Sequence, residues 1–214
     1  MDAIATITGV AATLPLANVD TDVIIRIERL TSLARDALGP YALEALRYRA
    51  DGSEDPEFVL NQTPFRAAPI LIVGPNFGCG SSREGAVWAL CARGIRCVIG
   101  ESFGDIFYAN CFQNGILPLR MSAPAIARIS QLTANAAPLT VDLVAQQLLM
   151  PDGEAMVFTV DPRRRDALLE GADELTLTLK SHAAIAAWQA RDRGIHPWAW
   201  PSPHTDLSTP MQTP

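Results

Sequence analysis

The sequence predicts an α/β protein built on a largely parallel sheet. Three observations predict it: continuous apolar runs such as Ile70-Leu71-Ile72-Val73 and Cys97-Val98-Ile99, helix-forming segments between them, and glycine-rich or Asn-Gly breaks at the joints. Apolar runs without polar alternation mark strands covered on both faces, and a strand–helix–strand succession pairs its strands in parallel through crossovers.

Taken in order, residues 4–14 are rich in Thr, Val and Ile and read as a first strand, ended by Pro15. Asn18-Val19-Asp20-Thr21-Asp22-Val23-Ile24-Ile25 sets acidic turn chemistry ahead of a short apolar strand, which places its carboxylates at a strand edge or loop. Residues 31–47 read as helical with a break near Gly39-Pro40, and a polar loop with an Asp51-Gly52 turn follows over 49–56. The strand 70–73 runs through a glycine-rich loop into a helix over 83–93 closed by Gly94. A strand over 97–99, a helix opened by Ser102 and Asp105 and ended at Asn114-Gly115, and a strand over 116–119 repeat the scheme. Then come a helix over 124–133 and strands over 139–144 and 156–160, with Pro151-Asp152-Gly153 as the turn between them. Asp161 can cap a helix to 169, residues 175–179 alternate like a strand, and Ser181 can cap a last helix to 190.

A chain of 214 residues suits one elaborated domain, expected over 1–193. The remainder, 194–214, holds five of the sixteen prolines and reads as an extended tail. With 49% hydrophobic and only 19% charged residues, the chain has ample apolar surface to offset its conformational entropy. Seventeen basic against twenty-three acidic side chains leave a net charge of −6, which argues against nucleic acid as a partner. The longest clearly apolar stretch, 67–73, is far short of the roughly 20 residues that span a bilayer. The start, Met1-Asp2-Ala3-Ile4, lacks a basic signal-peptide head, so a soluble cytoplasmic protein without a membrane partner is expected. Cys79, Cys91, Cys97 and Cys111 contain no Cys-x-x-Cys pair, so no metal site is expected in this chain.

The densest candidate is Gly74-Pro75-Asn76-Phe77-Gly78-Cys79-Gly80-Ser81-Ser82-Arg83-Glu84, where a buried strand hands over to a helix. In open α/β sheets ligands bind at that end of the strands. Gly78 and Gly80 allow a close backbone approach, the helix start offers unpaired N–H groups, and Arg83 adds a fork of donors, which together suit a carboxylate or phosphate. On spacing alone the capping box, Ser81 with Glu84, takes precedence over the anion site. A dinucleotide loop fits less well because Gly85 comes two places late, and the distant His182, His196 and His204 do not suit a serine hydrolase. The run Arg163-Arg164-Arg165 reads as a solvated face, and Phe103, Phe107, Tyr108 and Phe112 as core or subunit-contact residues.

Three ordered stretches, 18–25, 76–84 and 102–118, closely resemble the small subunits of 3-isopropylmalate dehydratases. The resemblance runs to about residue 193 and implies the swivelling β/β/α domain of the aconitase superfamily. It implies a hydro-lyase of leucine biosynthesis, active as a heterodimer with a large subunit that holds a [4Fe-4S] cluster, and a small hydroxy-diacid as substrate. Residue by residue, it implies that Ser81 is the catalytic base, Ser82 and Arg83 contact a substrate carboxylate, and Asp22 gives acidic support. Three positions depart from the family's pattern: Gly85 stands for its His, Val87 for its Pro, and Arg26 for a Pro. They leave open a paralogue acting on citramalate or another substituted malate, or a non-catalytic anion-binding or regulatory module.

Overall fold

The computed structural model describes residues 1–80 and 83–201. They fall into two compact units, Met1–Asp173 and the part of Glu174–Pro214 that is described.

In the first unit, β1 (Thr6–Leu14) is the strand on which the sheet is organised. Its second half pairs in parallel with β2 (Ile70–Val73), and its first half pairs antiparallel with β5 (Pro138–Asp142). Beyond β2 lie β3 (Cys97–Gly100) and β4 (Leu117–Arg120), both parallel; beyond β5 lie β6 (Gln147–Leu149) and β7 (Ala155–Val157), both antiparallel. Among the described residues this gives a seven-stranded sheet in the order β4-β3-β2-β1-β5-β6-β7.

Successive side chains of a strand point to opposite faces, and the parallel strands are apolar on both because both faces are packed. Leu71, Val73 and Val98 enter one core with Ile24, Leu38, Leu90, Phe77 and Phe107. Ile70, Ile72, Cys97 and Ile99 enter the other with Leu117, Ile129, Leu139, Leu148 and Leu168. The first core lies beneath α1 (Thr21–Ile24), α2 (Ile27–Ser32), α3 (Glu44–Arg47), α4 (Glu84–Ala92) and α5 (Asp105–Gln113). The second is closed by α6 (Ala123–Thr133) and α7 (Pro162–Glu170), the latter capped by Asp161 as its sequence predicts and ended at a left-handed Gly171.

Four elements differ from the sequence reading. The short strand expected at 23–25 is the helix α1: the Val23 N–H donates to Asp20 Oδ1 at 2.8 Å, and this cap turns an apolar run into a helical turn. The helical segment expected over 31–47 with a break near Gly39-Pro40 is broken twice: extended Leu33 and Ala34 end α2 before a 3-10 turn Arg35–Tyr41, and Leu43, left-handed at φ 58, sets off α3. The strand β6 was not anticipated; three residues are too few to show alternation. In the second unit, residues 175–179 form not a strand but part of α8 (Glu174–Leu179), with the Thr178 hydroxyl donating back to Glu174 O at 2.8 Å. That unit continues through α9 (His182–Ile195), and its Trp200 and His196 both bond Asp192, so these tail residues fold back on their own helix.

Candidate active site

The carboxyl ends of β1, β2 and β3 are neighbours, and the loops leaving them carry the three motifs 18–25, 76–84 and 102–118. Backbone hydrogen bonds hold these loops together like a continuation of the sheet. Gly78 N–H donates to Val19 O at 2.7 Å and Thr21 N–H to Cys79 O at 3.1 Å; on the other side Phe77 N–H donates to Ser102 O at 3.2 Å and Gly104 N–H to Phe77 O at 2.9 Å. Side chains add to this: Asn76 Nδ2 donates to Asn18 Oδ1 at 2.8 Å, and the Asn76 N–H donates to Ser102 Oγ at 2.9 Å. Ser102, expected to help open α5, therefore anchors the glycine-rich turn instead. Asn18 and Asn76 both sit in the left-handed region, at φ 57 and 59, which asparagine tolerates better than most residues. Neither was singled out from sequence, although asparagine just beyond a strand end is the signal that could have found them.

Gly78 is required by its own neighbours. Its φ is +72, and a Cβ there would stand 2.2 Å from Phe107 Cγ, so the Phe107 ring fills the room that the missing side chain leaves. Gly80, at φ +82, passes Asp20, where a Cβ would stand 3.3 Å from the Asp20 Cβ. Beside this backbone lies a cleft of about 270 Å³ whose lining includes Thr21, Gly78, Cys79, Gly80, Asp105 and Ile106. The phenylalanines of α5 and the one just before it are core: Phe107 meets Phe77 edge to face with ring centroids 5.5 Å apart, and Phe103 and Phe112 are buried.

Arg83, the N-cap residue of α4, is a quarter exposed and paired with Asp22 in the first turn of α1. Sixty-one residues of sequence separate the two, and the fold brings them into contact. Among the described residues Asp22 is the hydrogen-bond partner of Arg83 through Nη1, which leaves the other guanidinium donors for a second acceptor. Ser81 and Ser82 lie outside the described residues. Helix α4 opens at Glu84, not three residues before it, and Glu84 Oε1 accepts from Asn114 Nδ2 at 2.9 Å. Glu84 therefore does not occupy the third helical position that a capping box needs.

The three departures are accommodated locally. A Cβ at Gly85 would stand 2.4 Å from Leu30 Cδ2, so Leu30 of α2 occupies the space a side chain at 85 would take. Val87 is fully buried. Arg26 faces Glu44, its Nε 3.7 Å from Glu44 Oε1, in a separate cavity also lined by Tyr41 and Tyr48. Arg29 holds the same carboxylate with two of its nitrogens, and that bond raises the Arg29 pKa.

A metal cluster would need thiolates. Burial pushes the thiols of Cys97 and Cys111 well up, which disfavours the ligating form, and Cys91 is raised for the same reason. Among the described residues no group of three His, Cys, Asp or Glu side chains could hold a metal ion.

The aconitase C-terminal domain family matches residues 1–124, more than half of the chain. A 3-isopropylmalate dehydratase small subunit from Rhodospirillum centenum is 50% identical over 201 residues, 93% of this chain and 99% of that one. The chain belongs to the 3-isopropylmalate dehydratase small-subunit family. Other members of the family, from Rhodopseudomonas palustris and Xanthobacter autotrophicus, are 46% and 48% identical and are matched over their whole length, covering 93% and 92% of this chain. The crystal structure of a 3-isopropylmalate dehydratase from Methanocaldococcus jannaschii superposes with a TM-score of 0.63 over 86% of this chain and 99% of that one. At 24% identity this likeness concerns the fold, and the fold it supports is the swivelling domain of the aconitase superfamily. Among the described residues no helix is long and apolar enough to cross a membrane.

Proposed function

We propose that this chain is the small subunit of a two-subunit hydro-lyase that isomerises 2-isopropylmalate to 3-isopropylmalate by dehydration and rehydration, in leucine biosynthesis in the cytoplasm. The observation that carries the reading is the convergence of three loops at the carboxyl ends of β1, β2 and β3, with Arg83 held there by Asp22 through Nη1, in a chain half identical to a named small subunit.

The reaction moves a hydroxyl between adjacent carbons of a malate. It requires a base for the proton beside a carboxylate, a clamp for that carboxylate and a Lewis acid for the departing oxygen. Ser81 is proposed as the base. Arg83 and Ser82 fix the carboxylate and stabilise the charge that develops on it as the proton leaves. Asp22 keeps the guanidinium pointed and shares it when the dianionic substrate arrives. Gly78 and Gly80 supply backbone that a substrate can approach, and the start of α4 adds N–H groups that stabilise a serine alkoxide. The Lewis acid is proposed to be a [4Fe-4S] cluster on the large subunit, which completes the site from outside this chain.

The test is reconstitution of this chain with its large subunit and assay of 2-isopropylmalate against citramalate by the absorbance of the conjugated C=C bond. Turnover on 2-isopropylmalate well above citramalate is expected. Equal or greater activity on citramalate would end the leucine assignment, and no turnover of either would point to the anion-binding module.

A further inference from the structure

At the carboxyl end of α5 one buried amide gathers several parts of the first unit. Asn114 is 8% exposed. Its Oδ1 accepts from Arg35 Nη2 at 2.6 Å and from the Trp88 indole N–H at 3.1 Å. Its Nδ2 donates to Glu84 Oε1 and to Asn110 O, both at 2.9 Å. The amide's two donors and two acceptor sites are all in use, and its own carbonyl accepts from Cys91 Sγ at 3.1 Å.

Glu84 and Trp88 stand four apart, on one face of α4. Glu84 is the first residue of that helix and follows Arg83 directly in the chain. It is otherwise exposed, so the bond to Asn114 is what fixes its rotamer. A single side chain thus grips α4 at its first residue and again one turn later, and sets where the helix begins along its axis. The guanidinium of Arg35 braces the other side, lying 5.1 Å from the Trp88 ring.

We propose that Asn114 is a positioning residue for the reaction: by fixing Glu84 and Trp88 it sets the register of α4, and through it the placement of Arg83. The inference rests on the functional reading above. Asparagine is required because its donor must face a carboxylate while its acceptor faces two N–H groups, a polarity that neither Asp nor an apolar residue reproduces.

The test exchanges that polarity. Asn114→Asp keeps the acceptor for Arg35 and Trp88 but turns a carboxylate oxygen on Glu84; Glu84→Gln then restores a donor opposite it. In the reconstituted enzyme, kcat of N114D is expected to fall by about thirtyfold or more with KM changed less, since displacement of a reacting group by about 1 Å costs rates on that scale. E84Q alone should stay within about threefold, because its amide can turn to accept, and N114D/E84Q should recover at least about fivefold of the lost rate, though not all of it, because the Asp oxygen still faces the Asn110 carbonyl. Two facing carboxylates share a proton at low pH, so the activity of N114D relative to wild type should rise as pH falls, and that trend should weaken in the double variant. A wild-type rate in N114D, or a double variant as slow as N114D, would overturn the proposal. The isolated chain gives a second readout: hydrogen exchange at the Trp88 and Ala89 amides and the Trp88 indole should quicken in N114D and recover in the double variant. Unchanged exchange overturns the positioning role whatever the activity, whereas an inactive wild-type assembly overturns the functional reading and leaves the exchange result to judge Asn114.

Discussion

The two halves of the sheet share β1 and differ in what they can build. In the parallel half every residue of β2 and β3 is buried, and the strands end at one edge, so the loops after β1, β2 and β3 leave side by side and bond to one another. In the antiparallel half successive loops leave at opposite ends, and outward positions such as Leu149 and Val157 are 42% and 71% exposed. Only the parallel half can gather three loops at one place, whatever the sequence of the loops. The candidate active site lies where topology allows one, and the meander of β5, β6 and β7 serves to cover the second core.

That contrast breaks most visibly at Arg83. Arg83→Lys in the reconstituted enzyme should lower kcat/KM by about 10²-fold, because an ammonium lacks the fork that holds a carboxylate and Asp22 together. Steady-state kinetics on 2-isopropylmalate check it. A smaller effect is expected from Gly85→His, which restores the family's residue but drives a side chain into Leu30; overpacking of this kind costs about 1–3 kcal/mol. Thermal unfolding should show a lower Tm, and Leu30→Ala in the same chain should recover part of it. The smallest effect belongs to the antiparallel half. Arg128 bridges Asp152 and Glu154 at the surface, and Arg128→Ala should leave turnover unchanged and Tm within about 2 °C of wild type. A loss of turnover there would undo the division between the halves.

The parallel strands were legible because burial on both faces writes a continuous apolar run, and the glycine-rich turn because φ above zero and a close approach to Phe107 both demand glycine. The short elements α1 and β6 were not, since an Asp cap rather than an apolar pattern makes the first and three residues show no clear alternation in the second, and the alternating leucines of 175–179 read as a strand although they lie in the helix α8. In the site, spacing pointed to the turn and to Arg83, while Asp22 entered through resemblance, since a contact across sixty-one residues leaves no local trace. The asparagines went unread for the same reason. Asn18, Asn76 and Asn114 act through partners supplied by other elements, and their neighbours in sequence do not reveal the bond.

In the proposed two-part active centre the proton-transfer group comes from the segment between β2 and α4 of this chain. The most direct measurement is the turnover of 2-isopropylmalate by the enzyme reconstituted with Ser81→Ala, alongside a binding measurement showing that the two subunits still assemble. A fall of at least about 10³-fold in kcat with assembly intact is the predicted result; turnover at the wild-type rate would contradict it.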